Sequence, residues 1–284
     1  MRIILLAYMT ALVLGAQQPI FFLQMSDPQF GMYTRDQSFE QETANFEFAI
    51  ATANRLKPAF VVICGDLINK PGDETQAAEY LRIAGKLDQS IPLYPVAGNH
   101  DVRNEPTPES LAWYRKRFGR DYYTFRSGNL AAFVLNSSLI HSPQHAMADL
   151  EAQEQWLRGA LEQSRQAGVR HRVVFQHHPF FLEKPDEPDQ YFNIPLERRR
   201  RYLDLLVEYG VTHVFAGHYH RNAFGRSGAL EMVTTGPVGM PQGKEDSGMR
   251  VVMVRESGIE HQYHQLGRLP QRVELGTKPG APKP

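Results

Sequence analysis

The chain has 284 residues, of which 42% are hydrophobic and 22% are charged, a composition that is ordinary for a soluble globular protein and excludes a disordered or fibrous one. Lys plus Arg and Asp plus Glu both number 31, so the formal charge is zero and no overall basic field is available to hold nucleic acid or anionic lipid. The single cysteine, Cys64, excludes a disulfide framework and a Cys-rich zinc site.

Residues 1–16 have the composition of a secretory signal peptide. Arg2 precedes an apolar run from Ile3 to Leu14, and the small residues Gly15 and Ala16 follow it. The run is shorter than the stretch of about 20 residues that spans a bilayer. Residues 1–16 are therefore predicted to be a signal peptide, which makes the mature protein secreted or periplasmic and leaves it without a membrane partner. The alternative is that the run forms a buried first strand or helix.

Strands and helices alternate through the rest of the chain, because short apolar runs bounded by turn residues alternate with apolar residues at helical spacing. The predicted strands are 20–25, 59–64, 93–96, 122–126, 130–135, 172–176, 211–216, 230–234 and 249–254. The predicted helices are 39–56, 74–87, 108–118, 150–166 and 196–209. This alternation predicts an α/β fold in one domain over residues 17–266. The Pro- and Gly-rich segment 267–284 is predicted to be a loose tail.

Five of the predicted strands run directly into a turn that carries a residue of a metal-ligand type. These residues are Asp27, Asp66, Asn99, His177 and the pair His218 and His220. In an open α/β sheet the carboxyl ends of neighbouring strands border one crevice, so the turns are expected to meet although they lie far apart in the sequence. A mixture of carboxylate, amide oxygen and imidazole suits divalent Mn, Fe or Zn.

The same turns resemble the ordered motif set of the calcineurin-like metallophosphoesterases. The motifs are Asp27-x-Gln29, Gly65-Asp66, Gly98-Asn99-His100-Asp101, His177-x-Pro179 and Gly217-His218-x-His220. Two longer strings, Asp27-Pro28-Gln29-Phe30-Gly31 and Tyr191-Phe192-Asn193, are similar to a serine/threonine protein phosphatase branch of that family. Each motif alone is weak, but five in the right order after strands are specific. The resemblance implies a four-layer α/β sandwich, in which two mixed β-sheets are flanked by helices.

The resemblance also implies a role for each motif residue. Asp66 would bridge two divalent ions, Asp27 and His220 would bind the first ion, and the second ion would be bound by Asn99, His177 and His218. Two close ions lower the pKa of a shared water, and the resulting hydroxide attacks phosphorus in line. His100 is expected to act as general acid, with Asp101 holding its imidazole in the required tautomer. The alternative for Asp101 is a helix N-cap.

Position 29 departs from the family pattern, because the common motif is Asp-x-His. An amide oxygen is a neutral and weaker ligand than imidazole, so Gln29 either binds the first ion through its oxygen or only hydrogen-bonds beside it. Three further residues are candidate substrate contacts, namely His178, Arg221 and Asn222. The alternatives are packing for His178 and loop structure for the other two.

Four consecutive arginines, Arg198 to Arg201, lie on a predicted helix whose apolar side includes Tyr202, Leu203 and Leu206. They are interpreted as a solvated face of that helix rather than a nucleic-acid patch.

The predicted function is hydrolysis of phosphomonoesters by a dinuclear metal centre and a metal-activated hydroxide, with phosphoproteins or small phosphomonoesters as substrates. The alternative on the same metal core is a phosphodiesterase acting on cyclic nucleotides or glycerophosphodiesters. The alternative outside enzymes is a phosphate-binding module that has lost catalysis, and the intact Asp66, Asn99 and His100 argue against it. The sequence leaves the metal identity and the oligomeric state open.

Overall fold

The computed structural model of the chain describes residues 18–276, so the predicted signal peptide lies outside the described residues. The strands are β1 (Ile20–Met25), β2 (Val61–Ile63), β3 (Leu93–Pro95), β4 (Tyr123–Ser127), β5 (Leu130–Val134), β6 (His171–Phe175), β7 (His213–Ala216), β8 (Ala223–Ser227), β9 (Leu230–Thr234), β10 (Gly248–Arg255) and β11 (Gly258–Gln265). The helices are α1 (Glu40–Leu56), α2 (Glu74–Ala84), α3 (Asn99–Val102), α4 (Pro108–Phe118), α5 (Ser137–His141), α6 (Met147–Gln166) and α7 (Leu196–Glu208).

The strands form two mixed sheets. The five-stranded sheet has the order β11-β10-β1-β2-β3, with β1, β2 and β3 parallel and β10 antiparallel to β1. The six-stranded sheet has the order β4-β5-β6-β7-β9-β8, with parallel pairing from β5 to β9 and an antiparallel strand at each edge. The carboxyl ends of the parallel strands therefore lie along one rim of each sheet.

Aromatic side chains join the two sheets face to face. The ring of Phe22 on β1 stacks on that of Phe60 with centroids 4.6 Å apart. It also meets the edges of Phe175 and Phe215, on β6 and β7 of the other sheet, at 5.6 and 5.7 Å. Burial of such a side chain contributes about 1.5–3 kcal/mol, so this layer is a main source of stability.

Helices cover the outer faces of the sheets. Because side chains alternate along a strand, Phe21 and Leu23 point away from Phe22 and lie in a second apolar cluster. That cluster includes Phe46 and Ile50, which are buried on α1. The result is the predicted order of helix, sheet, sheet and helix, and the four-layer prediction is confirmed. Within residues 18–276 no helix is long and apolar enough to cross a membrane.

Two strands, β8 and β11, were absent from the sequence prediction. Strand β11 pairs with β10 along its whole length at the edge of its sheet, where every residue is only partly buried. A strand at the edge of a sheet needs no run of apolar residues, so the sequence contains only a weak pattern for β11. Strand β8 occupies the edge of the other sheet and forms a hairpin with β9.

The C-terminal segment predicted to be loose is docked over its described part. Leu269 and Val273 pack against the apolar core, and the Arg55 guanidinium donates a hydrogen bond to the carbonyl oxygen of Pro270 at 2.9 Å. Residues 267–276 thus contact the core at a few positions, and residues 277–284 lie outside the described part of the chain.

Candidate metal centre

The turns that follow the parallel strands bring six predicted ligand residues to one place. Two groups of side chains have their ligand atoms within 4.8 Å of one another. The first ligand group consists of Asp27, Asp66 and His220, and the second ligand group consists of Asp66, His177 and His218. All five residues are buried, and the Asp66 carboxylate belongs to both groups. The sixth residue, Asn99, lies beside the second group.

The ligand turns use backbone conformations that residues other than glycine rarely adopt. The φ angle is 49° at Asp27, 41° at Gln29, 50° at Asp66, 67° at His218 and 53° at His220. Such a left-handed conformation costs about 1–3 kcal/mol per residue. Strain at five positions in the ligand turns indicates that the fold maintains these turns for the geometry of the side chains they carry.

Two glycines allow the ligand turns to approach one another. A Cβ atom on Gly217 would collide with the side chains of Ser26 and Asp27, and one on Gly65 would collide with the ring of His177. Any larger residue at either position would push ligand groups apart. The glycines that precede the ligands in the sequence motifs are thus required by close packing as well as by turn geometry.

Backbone carbonyls fix the orientation of two imidazoles. The Nδ1 atom of His177 lies 2.8 Å from the carbonyl oxygen of Cys64, and Nδ1 of His220 lies 2.6 Å from that of Met240. The ring N–H on each Nδ1 donates to its carbonyl, so each Nε2 is left as a metal-binding atom. The Nε2 atom of His177 lies 3.2 Å from a carboxylate oxygen of Asp66.

His218 is oriented the opposite way. Its Nε2 atom lies 3.2 Å from the carbonyl oxygen of Tyr191, whereas its Nδ1 atom lies 3.1 Å from Nε2 of His177. The Nδ1 atom therefore faces the second ligand group. Each of the three histidines thus presents one nitrogen to the cluster and has the other held by a carbonyl, which is the arrangement that metal-binding imidazoles require.

Carboxylates and imidazoles shift one another's pKa values in this buried cluster. Burial alone would lower the pKa of His177, but the Asp66 and Asp27 carboxylates outweigh it and raise that pKa to about 9. Burial alone would raise the pKa of Asp66, but His177 and its neighbours hold it below its usual range. Burial and the neighbouring His177 lower the pKa of His218 to about 3. The cluster therefore favours one positive charge among its carboxylates, a role that a metal cation also fills.

Gln29 lies two residues after Asp27 of the first ligand group and has a buried amide group. Its Nε2 atom donates to Oδ1 of Asn69 at 3.1 Å. Asn69 is held in turn by a hydrogen bond from its Nδ2 atom to Asp36 at 2.7 Å. The Oε1 atom of Gln29 has no hydrogen-bond partner among the described residues. A buried acceptor without a partner costs about 1–3 kcal/mol, and a cation bound there would remove that cost.

Helix α3 carries Asn99 and His100 to the edge of the cluster. The Oδ1 atom of Asn99 lies 2.9 Å from Nε2 of His177, and its Nδ2 atom donates to Oδ1 of Asn104 at 2.9 Å. The amide oxygen of Asn99 therefore faces the second ligand group. His100 is half-buried, and Nδ1 of its ring lies 2.5 Å from the carbonyl oxygen of Asn69. Asn99 and His100 both border an open cleft of about 720 Å³.

Asp101 does not hold the imidazole of His100, which corrects the role predicted for it. Its carboxylate accepts hydrogen bonds from the backbone N–H groups of Leu67 at 2.9 Å, Ile68 at 3.2 Å and Gly98 at 2.8 Å. These N–H groups lie at the start of α3 and in the neighbouring turn, where no helical partner is available for them. Asp101 therefore ties two ligand turns together. It lies in the first turn of α3, and the N-cap of that helix is Gly98 rather than Asp101.

His178 was a candidate substrate contact, but the structure places it behind the second ligand group. Its Nδ1 atom lies 3.0 Å from the hydroxyl oxygen of Ser137, and its ring centroid lies 4.3 Å from that of His218. Burial, followed by the charges of neighbouring histidines, holds its pKa well below the usual range. These contacts favour the alternative of packing over substrate contact for His178.

Arg221 and Asn222 lie between β7 and β8, and their side chains contact the loop that joins β9 to β10. The Arg221 side chain donates to the carbonyl oxygen of Gln242 at 2.8 Å. The Asn222 side chain donates to the Glu245 carboxylate at 2.6 Å and accepts from the Arg250 guanidinium at 2.6 Å. These contacts favour the alternative of loop structure over phosphate binding for both residues.

Arg199 is fully buried, so the interpretation of the arginine run as a solvated face is wrong at this position. Its guanidinium donates to the carbonyl oxygens of Ile194, Pro185 and Glu187 at 3.0, 3.1 and 2.8 Å. The signal was present in the sequence, because Arg199 precedes the buried Tyr202 at helical spacing and shares its face of α7.

Tyr191 packs against His218 of the second ligand group, and no local sequence pattern indicates this role. Its ring centroid lies 4.9 Å from that of His218, and its carbonyl oxygen accepts the His218 hydrogen bond. Burial and the Asp66 carboxylate raise the pKa of Tyr191, while a hydrogen bond with the Asn99 side chain acts in the other direction. The motif Tyr191-Phe192-Asn193 is visible in the sequence, but only the folded chain brings Tyr191 to the ligands.

Known proteins are similar to this chain over most of its length. Residues 22–222 match the family described as calcineurin-like phosphoesterase. The serine/threonine-protein phosphatase CPPED1 of Bos taurus is 39% identical over 269 residues, which cover 89% of this chain and 86% of that protein. Its Homo sapiens counterpart is 38% identical over 270 residues, with the same coverage of both chains.

Two solved structures share the fold. A dimetal phosphatase from Danio rerio has a TM-score of 0.61 and 17% sequence identity, and the match covers 86% of this chain and 99% of that one. A purple acid phosphatase from yellow lupin has a TM-score of 0.66 and 13% identity, and the match covers 89% of this chain and 52% of that one. At these identities the likeness concerns the fold alone.

Proposed function

The chain belongs to the calcineurin-like phosphoesterase family and is a hydrolase of phosphate esters, and from that premise we propose that it is a phosphomonoesterase with two divalent ions and with phosphoproteins among its substrates. The observation that carries the two-ion part is the Asp66 carboxylate, which belongs to both ligand groups. The substrate part is supported by relatives named serine/threonine-protein phosphatases that align over 89% of this chain.

Each ion is assigned a set of carboxylate, amide and imidazole donors. The first ion is assigned to Asp66 together with Asp27, Gln29 and His220. The second ion is assigned to Asp66 together with Asn99, His177 and His218. The unpaired Oε1 atom of Gln29 supports its place in the first set. Such donor sets suit Mn, Fe or Zn.

When bound, a pair of divalent ions polarises the phosphoryl group and lowers the pKa of a water molecule. The chain's residues position these reactants. Asp66 holds the two ligand sets together, and its Oδ1 atom accepts the backbone N–H of His100 at 2.9 Å. The carbonyl oxygen of Asn69 keeps a proton on Nδ1 of His100, so Nε2 is the atom that delivers a proton to the leaving oxygen.

A comparison of esters tests the proposal on the purified protein. We expect close to two ions per chain after loading with Mn, and faster hydrolysis of p-nitrophenyl phosphate than of bis(p-nitrophenyl) phosphate. A preference for the diester would contradict the monoesterase proposal. Less than one ion per chain, with no hydrolysis after addition of Mn, would favour the non-catalytic binding module instead.

The role of His100 can be tested with two leaving groups. His100→Ala should lower turnover by about 10²–10⁴-fold, because a positioned general acid contributes that much. Turnover of an alkyl phosphate should fall more than turnover of p-nitrophenyl phosphate, because nitrophenolate can leave without a proton. Equal losses for both esters would assign His100 to stabilisation of the phosphoryl charge, and metal content must be measured in the same samples.

We also propose that the protein is exported, on the basis of Arg2 and the apolar run from Ile3 to Leu14. Mass spectrometry of the protein from its native cell should find a chain that begins near Gln17. A cytoplasmic chain that retains Met1 would contradict export and would leave the catalytic proposal untouched.

A further inference from the structure

Residues 182–195 connect the His177 turn to α7 and form a loop that side-chain hydrogen bonds hold in place. We call it the aromatic loop. The Glu187 carboxylate accepts backbone N–H groups of Leu182, Glu183 and Lys184 at 2.8, 2.9 and 3.1 Å. It also accepts a hydrogen bond from the Asn193 side chain at 2.7 Å. Together with the three carbonyls held by the buried Arg199 guanidinium, these contacts fix the loop at both ends.

The fixed loop places Tyr191 against two candidate metal ligands. The ring of Tyr191 lies beside that of His218, and the Tyr191 carbonyl oxygen orients the same imidazole. The Tyr191 hydroxyl lies beside the Asn99 side chain, within the field of the Asp66 carboxylate. The residue is nevertheless 54% exposed, so part of its side chain faces solvent beside the second ligand group.

The hydrogen bonds of Asn99 determine what the phenol can do. The Asn99 oxygen faces His177, and one hydrogen of its Nδ2 group is donated to Asn104. The second hydrogen of that group remains for the phenolic oxygen of Tyr191, which then acts as acceptor. The phenol's own hydrogen is left over, and it can be donated to a group that enters from solvent.

We propose that the Tyr191 hydroxyl donates this hydrogen bond to a phosphoryl oxygen of the bound ester, which makes Tyr191 a further catalytic residue. Arg199 and Glu187, which fix the aromatic loop, are then positioning residues. The cleft bordered by His100 takes the leaving group, whereas Tyr191 lies against His218 at the ligands themselves. This inference rests on the proposed function, because it assumes that a phosphoryl group binds at the ligand groups.

The test compares Tyr191→Phe with Tyr209→Phe in the full chain loaded with Mn. Both variants lose one hydroxyl, but Tyr209 follows α7 and precedes β7, so it lies at the opposite end of that strand from His218. We expect Tyr191→Phe to lower kcat/KM by about 10–100-fold, by the same factor for p-nitrophenyl phosphate and for an alkyl phosphate. We also expect weaker binding of inorganic phosphate by calorimetry, with metal content unchanged. Tyr209→Phe should match the parent protein in each measurement.

Each alternative outcome has a definite meaning. Phosphate affinity and kcat/KM within about twofold of the parent protein would overturn the inference. A loss of metal ions in Tyr191→Phe would also overturn it, because Tyr191 would then act by holding Asn99. A loss confined to the alkyl ester would assign the hydroxyl to the leaving group and likewise refute the proposal. If the parent protein hydrolyses neither ester, the proposed function fails, and the phosphate-binding measurement still decides whether Tyr191 contacts a phosphoryl group.

Discussion

The two ligand groups share Asp66 but differ in the chemistry of their other donors. The first group has two carboxylates and one imidazole, whereas the second has one carboxylate and two imidazoles. Carboxylates attract a cation by charge over a wide pH range, but an imidazole must lose its proton before it binds. The first group should therefore favour harder ions such as Mn, and the second should favour Zn or Fe with an affinity that rises with pH.

The largest effect is expected from breaking both groups at once. Asp66→Asn keeps the shape of the side chain but removes the negative charge between two dications, whose repulsion is then less shielded. We expect the loss of at least one ion per chain and a fall in turnover of roughly a hundredfold or more. Asp204→Asn, a matched change on the exposed face of α7, should have no effect. Unchanged metal content and turnover in Asp66→Asn would remove the basis of the two-ion proposal.

A smaller effect, confined to one group, is expected from single histidine variants. His220→Ala leaves two carboxylates in the first group, whereas His218→Ala leaves one carboxylate and one imidazole in the second. Each should lose about one ion and roughly 10–100-fold in turnover at limiting metal. Excess Mn should restore the turnover of His220→Ala more fully than that of His218→Ala. The reason is that two carboxylates remain in the first group to attract the ion. Equal restoration would show that the two groups do not differ as their donors indicate.

The sequence predicted the fold class and the residues of both groups because strand ends and ligand types coincide in local motifs. Asp27, Asp66 and the histidines follow short apolar strands, and the topology of parallel strands brings such turns together. The missed contacts depend on partners distant in sequence. The carboxylate of Asp101 binds backbone N–H groups of residues 67 and 68, and the hydroxyl of Tyr191 reaches Asn99. No local pattern contains that information.

A third prediction separates the two interpretations of Gln29. If its Oε1 atom binds the first ion, Gln29→Ala should raise the Mn concentration for half-maximal activity by about tenfold, while turnover at saturating Mn changes little. Gln29→His should supply an imidazole and shift the preference of the first group toward Zn. Gln41→Ala, on the exposed side of α1, is the matched control. An unchanged Mn requirement in Gln29→Ala would mean that Gln29 only hydrogen-bonds to Asn69.

The smallest expected effect concerns the stability of the metal-free protein, and it contrasts two histidines of the second group. The pKa of His177 is about 9 in the folded chain, above its ordinary value of 6.5. Its proton therefore stabilises the fold fully below pH 6.5, and this contribution is lost as the pH rises through about 9. The pKa of His218 is about 3, below the same ordinary value. The unfolded chain then gains a proton that the folded chain does not bind, so stability is also lost as the pH falls below about 6.5.

Chelator-treated protein should accordingly unfold at a temperature a few degrees lower at pH 9.5 than at pH 7, as measured by calorimetry. In His177→Gln the difference should shrink, because the group that releases the proton is gone. The Mn-loaded protein should also show a smaller difference, since a cation on Nε2 of His177 replaces the proton at both pH values. The unfolding temperature could instead fall equally at pH 9.5 in the metal-free protein, the His177→Gln variant and the Mn-loaded protein. The fall would then have to come from groups outside the second ligand group. That result would show that the proton on His177 does not contribute to the stability of the metal-free fold.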